Sequence, residues 1–465
     1  MFQIMPFKYF IIFGLCFVLM YSCKNPLEIT DSPDAKLEFS IDTLLFDTIF
    51  TSIGSTTGRI IIRNKNKSAI NISNIRLGGG ATSSYRINID GVPGDNQSNI
   101  EIAGNDSAFI FVEVTINPNL ATLPFIVSDS LLFLTNGNKQ QVQLAAYGQN
   151  ARFYNDSIIP CNTTWDATLP YVIFRGILVD SLCKLTIEKG VKVYFHNSAQ
   201  LFVKGTLEVK GELNDTVVFQ GDRLESIYVD EPGQWNSIQF LPGSKGNSIN
   251  YAIIKNAIFG IIAGTYPLYG TKPEVLVSNS IIKNMSATGF FGINGVIKCY
   301  NNLIFNCGQS AFFAQLGGDY DLAHTTIGNF SFSGFNRKSP SAIFTDNLKI
   351  SSTAFEFSPL KVRLRNNIIW GNLEDELFIS KLGSQPIDSF IGNNLLRVDN
   401  PTYANNGNIL NKDPLFEKAD KENFLLKINS PAIGKALDIR SENTLFATDL
   451  KGKARSDISN IGCLE

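Results

Sequence analysis

The sequence predicts an all-β fold, an antiparallel immunoglobulin-like β-sandwich followed by a right-handed parallel β-helix, on three observations. Short apolar runs separated by Gly, Asn and Ser turns fill the chain, and no stretch repeats apolar residues at helical spacing. A six-residue phrase recurs through the second half at the spacing of one solenoid coil. The composition, with 37 Gly among 465 residues, 44% hydrophobic and 18% charged, suits many short strands and tight turns. A chain this long exceeds the roughly 100–200 residues of one domain, so more than one unit is expected.

The chain opens with Met1 to Lys8, an apolar run from Tyr9 to Tyr21, and then Ser22-Cys23-Lys24-Asn25. A charged start and an apolar segment of this length read as a signal peptide over residues 1–22, too short for a membrane span. The small residue before Cys23 resembles a bacterial lipobox, and Ser-Cys-Lys-Asn resembles the lipoproteins of Bacteroidetes. The resemblance implies lipidation of Cys23, attachment to the outer membrane on its periplasmic or surface face, and the membrane as a partner through that lipid. Residues 23–36 hold Pro26 and Pro33 and little apolar periodicity, as in a tether.

Over residues 37–150, alternating runs at Gly58 to Arg63, Ile70 to Leu77, Tyr85 to Ile89, Ala108 to Thr115, Ser130 to Leu134 and Gln141 to Ala146 are separated by turns such as Gly78-Gly79-Gly80. Such strands predict an antiparallel sandwich. The segments Asp47 to Phe50, Ile60 to Asn64, Asp106 to Phe109 and Asp129 to Phe133 resemble the immunoglobulin-like domains of hydin-type proteins, which implies a spacer or a partner-binding module.

Residues 151–465 form the predicted β-helix. Leu185-Thr-Ile-Glu-Lys-Gly-Val191 and Trp235-Asn-Ser-Ile238 resemble the opening coils of bacterial extracellular parallel β-helix proteins, beginning near Ile158. The recurring phrase starts at Tyr251, Asn279, Asn301, His324 and Asn366, with a weaker echo at Asn393. The intervals are about 22–28 residues apart from one double step, the length of one coil. Asn tolerates left-handed backbone geometry at strand ends, so Asn256, Asn284, Asn306 and Asn329 are expected to stack as an internal ladder. The insertions from Ala263 to Pro273 and from Asn329 to Ser341 are expected to bulge from one edge. Asp413-Pro-Leu-Phe416, Ser430-Pro-Ala-Ile-Gly434 and Ile461-Gly-Cys463 resemble the closing segment of right-handed, pectin-lyase-like β-helices.

Cys161 and Cys183, one coil length apart, fit successive coils. With Cys299, Cys307 and Cys463 they read as small buried apolar residues, and the odd number leaves at least one thiol free. A net charge of −2 without a Lys/Arg-dense run excludes the electrostatic footprint of a nucleic-acid binder. His196 and His324 lie too far apart for a histidine metal cluster, and neither has partners at motif spacing, so no metal or other cofactor is expected.

The fold resemblance brings polysaccharide lyases and glycosidases to mind, but function must be argued from a site. Asp319 and Asp321 share one strand face at period two, with His324 following, and a solvated turn is the competing reading. Glu374 and Glu376 form a similar pair in an acidic, loop-like run. Lys361, Arg363 and Arg365 alternate with inward Val362 and Leu364, lining three cations along one outer face able to meet an acidic glycan. Phe290-Phe291, Phe312-Phe313, Phe330, Phe332 and Phe335 read as core packing before sugar platforms. No catalytic constellation emerges. The expectation is a non-enzymatic cell-envelope lipoprotein whose β-helix binds a polysaccharide or a surface-protein partner. The alternatives are a polysaccharide lyase or glycoside hydrolase, and a structural adhesin or stalk.

Overall fold

The computed structural model describes residues 28–332 and 334–465, so the expected signal segment and Cys23 lie outside the described residues. The chain divides into two compact units, one ending at Gln149 and one running from Asn150 to Glu465 together with residues 121–123. Among the described residues helix is limited to single 3-10 turns, and no helix is long and apolar enough to cross a membrane.

The first unit pairs two sheets. One joins Glu38–Phe39, Gly58–Arg63, Ser107–Val114, Tyr85–Ile89 and Val92–Gly94; the other is built on Thr43–Phe50, Asn138–Gln149, Phe125–Thr135 and Ile70–Leu77. Alternation sets the core: in Ser107–Val114, Ala108, Ile110, Val112 and Val114 are buried while Phe109 and Phe111 are exposed, as period-two geometry requires. The antiparallel pattern is broken by the parallel pairing of Thr43–Phe50 with Asn138–Gln149 and by the parallel bridge of Ile29 to Ala69. The expected tether is not free from residue 28 onward. Ile29 bridges to Ala69, Ala35 and Leu37 join the core, and the amides of Asn136 and Asn138 donate to the carbonyls of Ser32, Ala35 and Pro33.

The second unit is a three-faced parallel β-helix. A representative coil runs through Ile281–Met285 on the first face, Thr288–Ile293 on the second and Val296–Tyr300 on the third. The next coil pairs with it in parallel at Ile281 with Leu303, Phe290 with Phe312, and Ile297 with Tyr320. The strand Arg152–Ile158 already pairs with Tyr171–Val179, so the solenoid starts ahead of Ile158. Inward residues stack from coil to coil. The rings of Phe290, Phe312 and Phe344 follow one another at 5.3 and 5.2 Å, fully buried, while Phe291 and Phe313 stack outside at 5.4 Å. Cys161 and Cys183 are joined in a disulfide, which corrects their reading as separate apolar side chains; Cys299, Cys307 and Cys463 are free and buried.

The recurring phrase is one first-face strand opened by a left-handed residue and, in its first three copies, closed by one as well. Tyr251, Asn279, Asn301, His324, Asn366 and Asn393 open it with φ between 44° and 58°, and Asn256, Asn284 and Asn306 close it at 64°, 57° and 53°. Asn adopts this region more readily than other non-glycine residues. The expected ladder forms in part: the Asn284 amide donates to Asn256 at 3.5 Å and Asn306 to Asn284 at 3.0 Å. Asn329 departs from it, its oxygen accepting instead from the Cys307 N–H at 2.7 Å. A second ladder lies inside, where Asn367 accepts from the Thr325 N–H at 2.9 Å and Asn394 from the Asn367 N–H at 2.8 Å.

The insertions do not share an edge. Residues 264–273 join the second face to the third, whereas 330–341, like 222–237, join the first to the second. The tail beyond residue 410 lies on the outside of the first face, where Phe424, Leu450, Cys463 and Leu464 cover Leu303 and Phe305. Gly328 makes room for it: a Cβ there would fall 2.2 Å from the Phe424 ring.

Candidate functional site

The two charged candidates converge on the third face. Gly318–Ala323 and Leu360–Arg365 are adjacent parallel strands with Asp319 beside Lys361 and Asp321 beside Arg363. Tyr320, Val362 and Leu364 point inward and are fully buried, so the acids and cations share the outer side. They neutralise one another. Lys361 Nζ lies 3.9 Å from Asp319 and 3.6 Å from Asp388. Arg365 Nη2 donates to both oxygens of Asp321 at 3.1 and 3.2 Å and its Nη1 to Glu442. The Tyr300 hydroxyl donates to Asp321 at 2.9 Å; burial, with this carboxylate second, pushes that phenol well above its ordinary range.

Several expectations are thereby corrected. The cation stripe is not an open surface, because Arg365 is buried in its ion pairs; only Arg363 makes no ion pair among the described residues. Asp321 sits buried on a strand, not in a solvated turn. His324 is 1% exposed and out of reach of a ligand. Burial first, and then the nearby Arg455 guanidinium, hold its imidazole well below the usual value, so the ring is neutral. Glu376 is not solvated either: it is fully buried in a bidentate pair with Arg337.

A cleft the sequence did not reveal opens where the insertions and the tail meet. It measures about 730 Å³ and is lined by Asp230 and Glu231 from residues 222–237, Asn284 and Asn306 from the outer ladder, Phe330, Ser331 and Phe332 from residues 330–341, and residues 416–420 and 422 of the tail. Phe330 and Phe332 are half-buried in this wall; Phe330 packs against the apolar cluster between the first face and the tail, and Phe332 stacks on Phe335 at 5.5 Å. The walls are pinned. The Asn256 amide donates to the Val229 carbonyl at 2.9 Å, Asn284 donates to Asp230 at 3.1 Å, and Lys283 holds Glu422 at 2.6 Å. Glu231, Glu417 and Asp420 are exposed and carry no ion pair among the described residues. Elsewhere, His196 Nδ1 lies 2.7 Å from Asp222, whose carboxyl burial pushes up.

The sequence flagged the 330–341 insertion and its phenylalanines, but the cleft carboxylates come from segments far apart in the chain, and no spacing rule links them.

No family model matches the chain, and no curated protein matches it. Among solved structures it is similar to a family 123 glycoside hydrolase from Clostridium perfringens, at 12% identity over 25% of this chain and 26% of that one, with a TM-score of 0.19. A protein of unknown function from Porphyromonas gingivalis matches at 10% identity over 27% and 59%, with a TM-score of 0.19. The catalytic domain of a family 87 α-1,3-glucanase matches at 12% identity over 72% and 80%, with a TM-score of 0.18. The chain spans about a quarter of the first of these and under two thirds of the second. Superpositions this loose assign no site.

Proposed function

We propose that the protein is a non-enzymatic cell-envelope lipoprotein, anchored through Cys23, whose β-helix holds a glycan in the cleft between residues 222–237, residues 330–341 and the tail. The observation that carries this reading is the lining of that cleft: phenylalanine rings beside exposed carboxylates and ladder amides. Sugars present C–H faces that pack on rings and hydroxyls that donate to carboxylates and amides. Five acids, Asp230, Glu231, Glu417, Asp420 and Glu422, line it with Lys418; Lys283 pairs with Asp230 and Glu422, which leaves Glu231, Glu417 and Asp420 to set the sign of the cleft. Such a field repels polyuronates and favours a neutral or amino sugar. The third-face cations, the other place for an acidic glycan, are largely taken up by their own carboxylates.

Full-length protein in detergent micelles, titrated calorimetrically with neutral, amino-sugar and uronate oligosaccharides, tests this. Heat with a neutral or amino sugar, and no new reducing ends or unsaturated product, is the expected result. The carboxylates in the cleft also favour a glycoside hydrolase, and new reducing ends would establish that reading instead. For the anchor, Cys23→Ala protein is expected to leave the membrane fraction; continued partitioning would refute it.

A further inference from the structure

We infer that the C-terminal tail is a latch, fastened to the corner between the third and first faces and released by acid through His324. The left-handed residues Asn279, Asn301, His324, Asn366 and Asn393 form one column along this corner, and the tail is laced to it. The Asn301 amide donates to the carbonyls of Leu445 and Thr448 at 2.5 and 3.1 Å. Asn366 donates to the Leu437 carbonyl at 2.8 Å and accepts from the Leu437 N–H at 2.7 Å. Asn393 donates to the Lys435 carbonyl at 3.4 Å. His324 is the member of this column whose side chain can take up a proton as the pH falls below neutral.

The imidazole is tied into the lacing. Its Nε2 accepts from the Asn366 amide at 3.0 Å, the same amide that holds Leu437. A proton on Nε2 would set donor against donor. Flipping Asn366 to offer its oxygen would turn its NH2 onto the Leu437 N–H, so no orientation satisfies both the imidazolium and the tail. The charges around the ring oppose the proton as well. Arg455 of the tail and Arg365 of the third face raise its cost, and the Gly462 backbone, with Asp438 after it, both of the tail, favour it less strongly than burial and Arg455 oppose it. Glu465 is bonded to Arg455, and Asp321 and Glu442 to Arg365. The Phe446 ring lies 5.9 Å away and closes the site to water.

The sign is definite. The latched ring favours the neutral form, whereas a solvated histidine takes its proton near pH 6.5. Latching is therefore complete above that value and weakens as pH falls below it. The tail carries Phe416 and Glu422, so release would also open the wall of the cleft; the latch itself does not depend on what the cleft binds.

Hydrogen exchange of the tail amides in the full chain at pH 7.5 and pH 5.0, corrected for intrinsic rates, tests the latch. One proton near pH 6.5 raises the opening equilibrium up to about 30-fold between these values. His324→Asn places at this corner the residue that the column uses at Asn301 and Asn366, and its tail should lack that increment. Glu465, whose carboxyl burial raises, titrates in both proteins, so the difference between them is the readout. An equal response in both, or a wild-type tail protected equally at both values, overturns the inference. Should H324N fail to fold, imidazole NMR of the wild-type chain decides. Charging of His324 in step with tail exchange supports the latch; charging beneath a protected tail, or a neutral ring and a protected tail at pH 5.0, overturns it.

Discussion

Removing the Glu376 carboxylate should be among the most damaging single changes to the second unit. The carboxylate accepts from Arg337 Nη1 and Nη2, from the Ser341 N–H and hydroxyl, and from the Leu373 N–H. Arg337 also donates to the carbonyls of Ser339 and Asn329, which fastens the 330–341 insertion that walls the cleft. The Arg337 side chain is 1% exposed. Glu376→Ala therefore strands a guanidinium without its counter-ion, a loss of about 3–5 kcal/mol. For a unit of this size that is a fall in Tm of about 4–8 °C. Replacing both partners, Arg337→Met with Glu376→Leu, removes the stranded charge and should cost less than E376A alone. Differential scanning calorimetry of the three proteins decides. A loss below about 1 kcal/mol in E376A, or a double variant less stable than the single one, would refute the assignment of the pair as a buried clamp.

The inner stack predicts that Phe312→Ala costs about 3–5 kcal/mol and Phe313→Ala, one residue away on the outer side, about 1 kcal/mol or less, read from denaturant midpoints. Asn367→Ala leaves the Thr325 N–H and the Leu322 carbonyl without their partner, for about 2–4 kcal/mol by the same measurement. The Cys161–Cys183 bridge closes a separation of 22 residues, so Cys161→Ser should lower stability by about 3 kcal/mol, and reduction of the wild-type protein should have the same effect. Burial pushes the Cys299 and Cys307 thiols up to about 12 and Cys463 to about 11; these three should stay silent to a thiol reagent in the native second unit and react on denaturation.

The solenoid was legible because its constraints are local. A left-handed corner selects Asn one position at a time, and an inward strand position selects an aliphatic or aromatic residue, so the phrase at Asn279 or Asn301 announces its own geometry. The partnering of coils was not local. Asp319 meets Lys361 because the interval from His324 to Asn366, expected to be a double step, is one enlarged coil that carries the hairpin of Asn347–Lys349 and Phe355–Phe357, and only the register of the strands shows that the two candidates neutralise each other. Glu376 looked like part of a solvated acidic run because its partner, Arg337, comes from an irregular insertion with no periodicity. Cys161 and Cys183 showed the right spacing, but it is the 4.5 Å between their Cα atoms that separates a bond from two packed thiols. The cleft had no signature, since its carboxylates are gathered from one insertion and the tail, and Phe330 and Phe332 come from another insertion.

The most direct test of the proposed function is to locate the glycan. Binding of a neutral or amino-sugar oligosaccharide should be measured for the wild-type chain, for Phe332→Ala with Asp420→Ala in the cleft, and for Lys361→Ala with Arg363→Ala on the third face. Loss of at least tenfold in affinity for the cleft variant, with the third-face variant unchanged, is the predicted result. Loss confined to the third-face variant, or no binding by the wild-type chain across the panel, would contradict it.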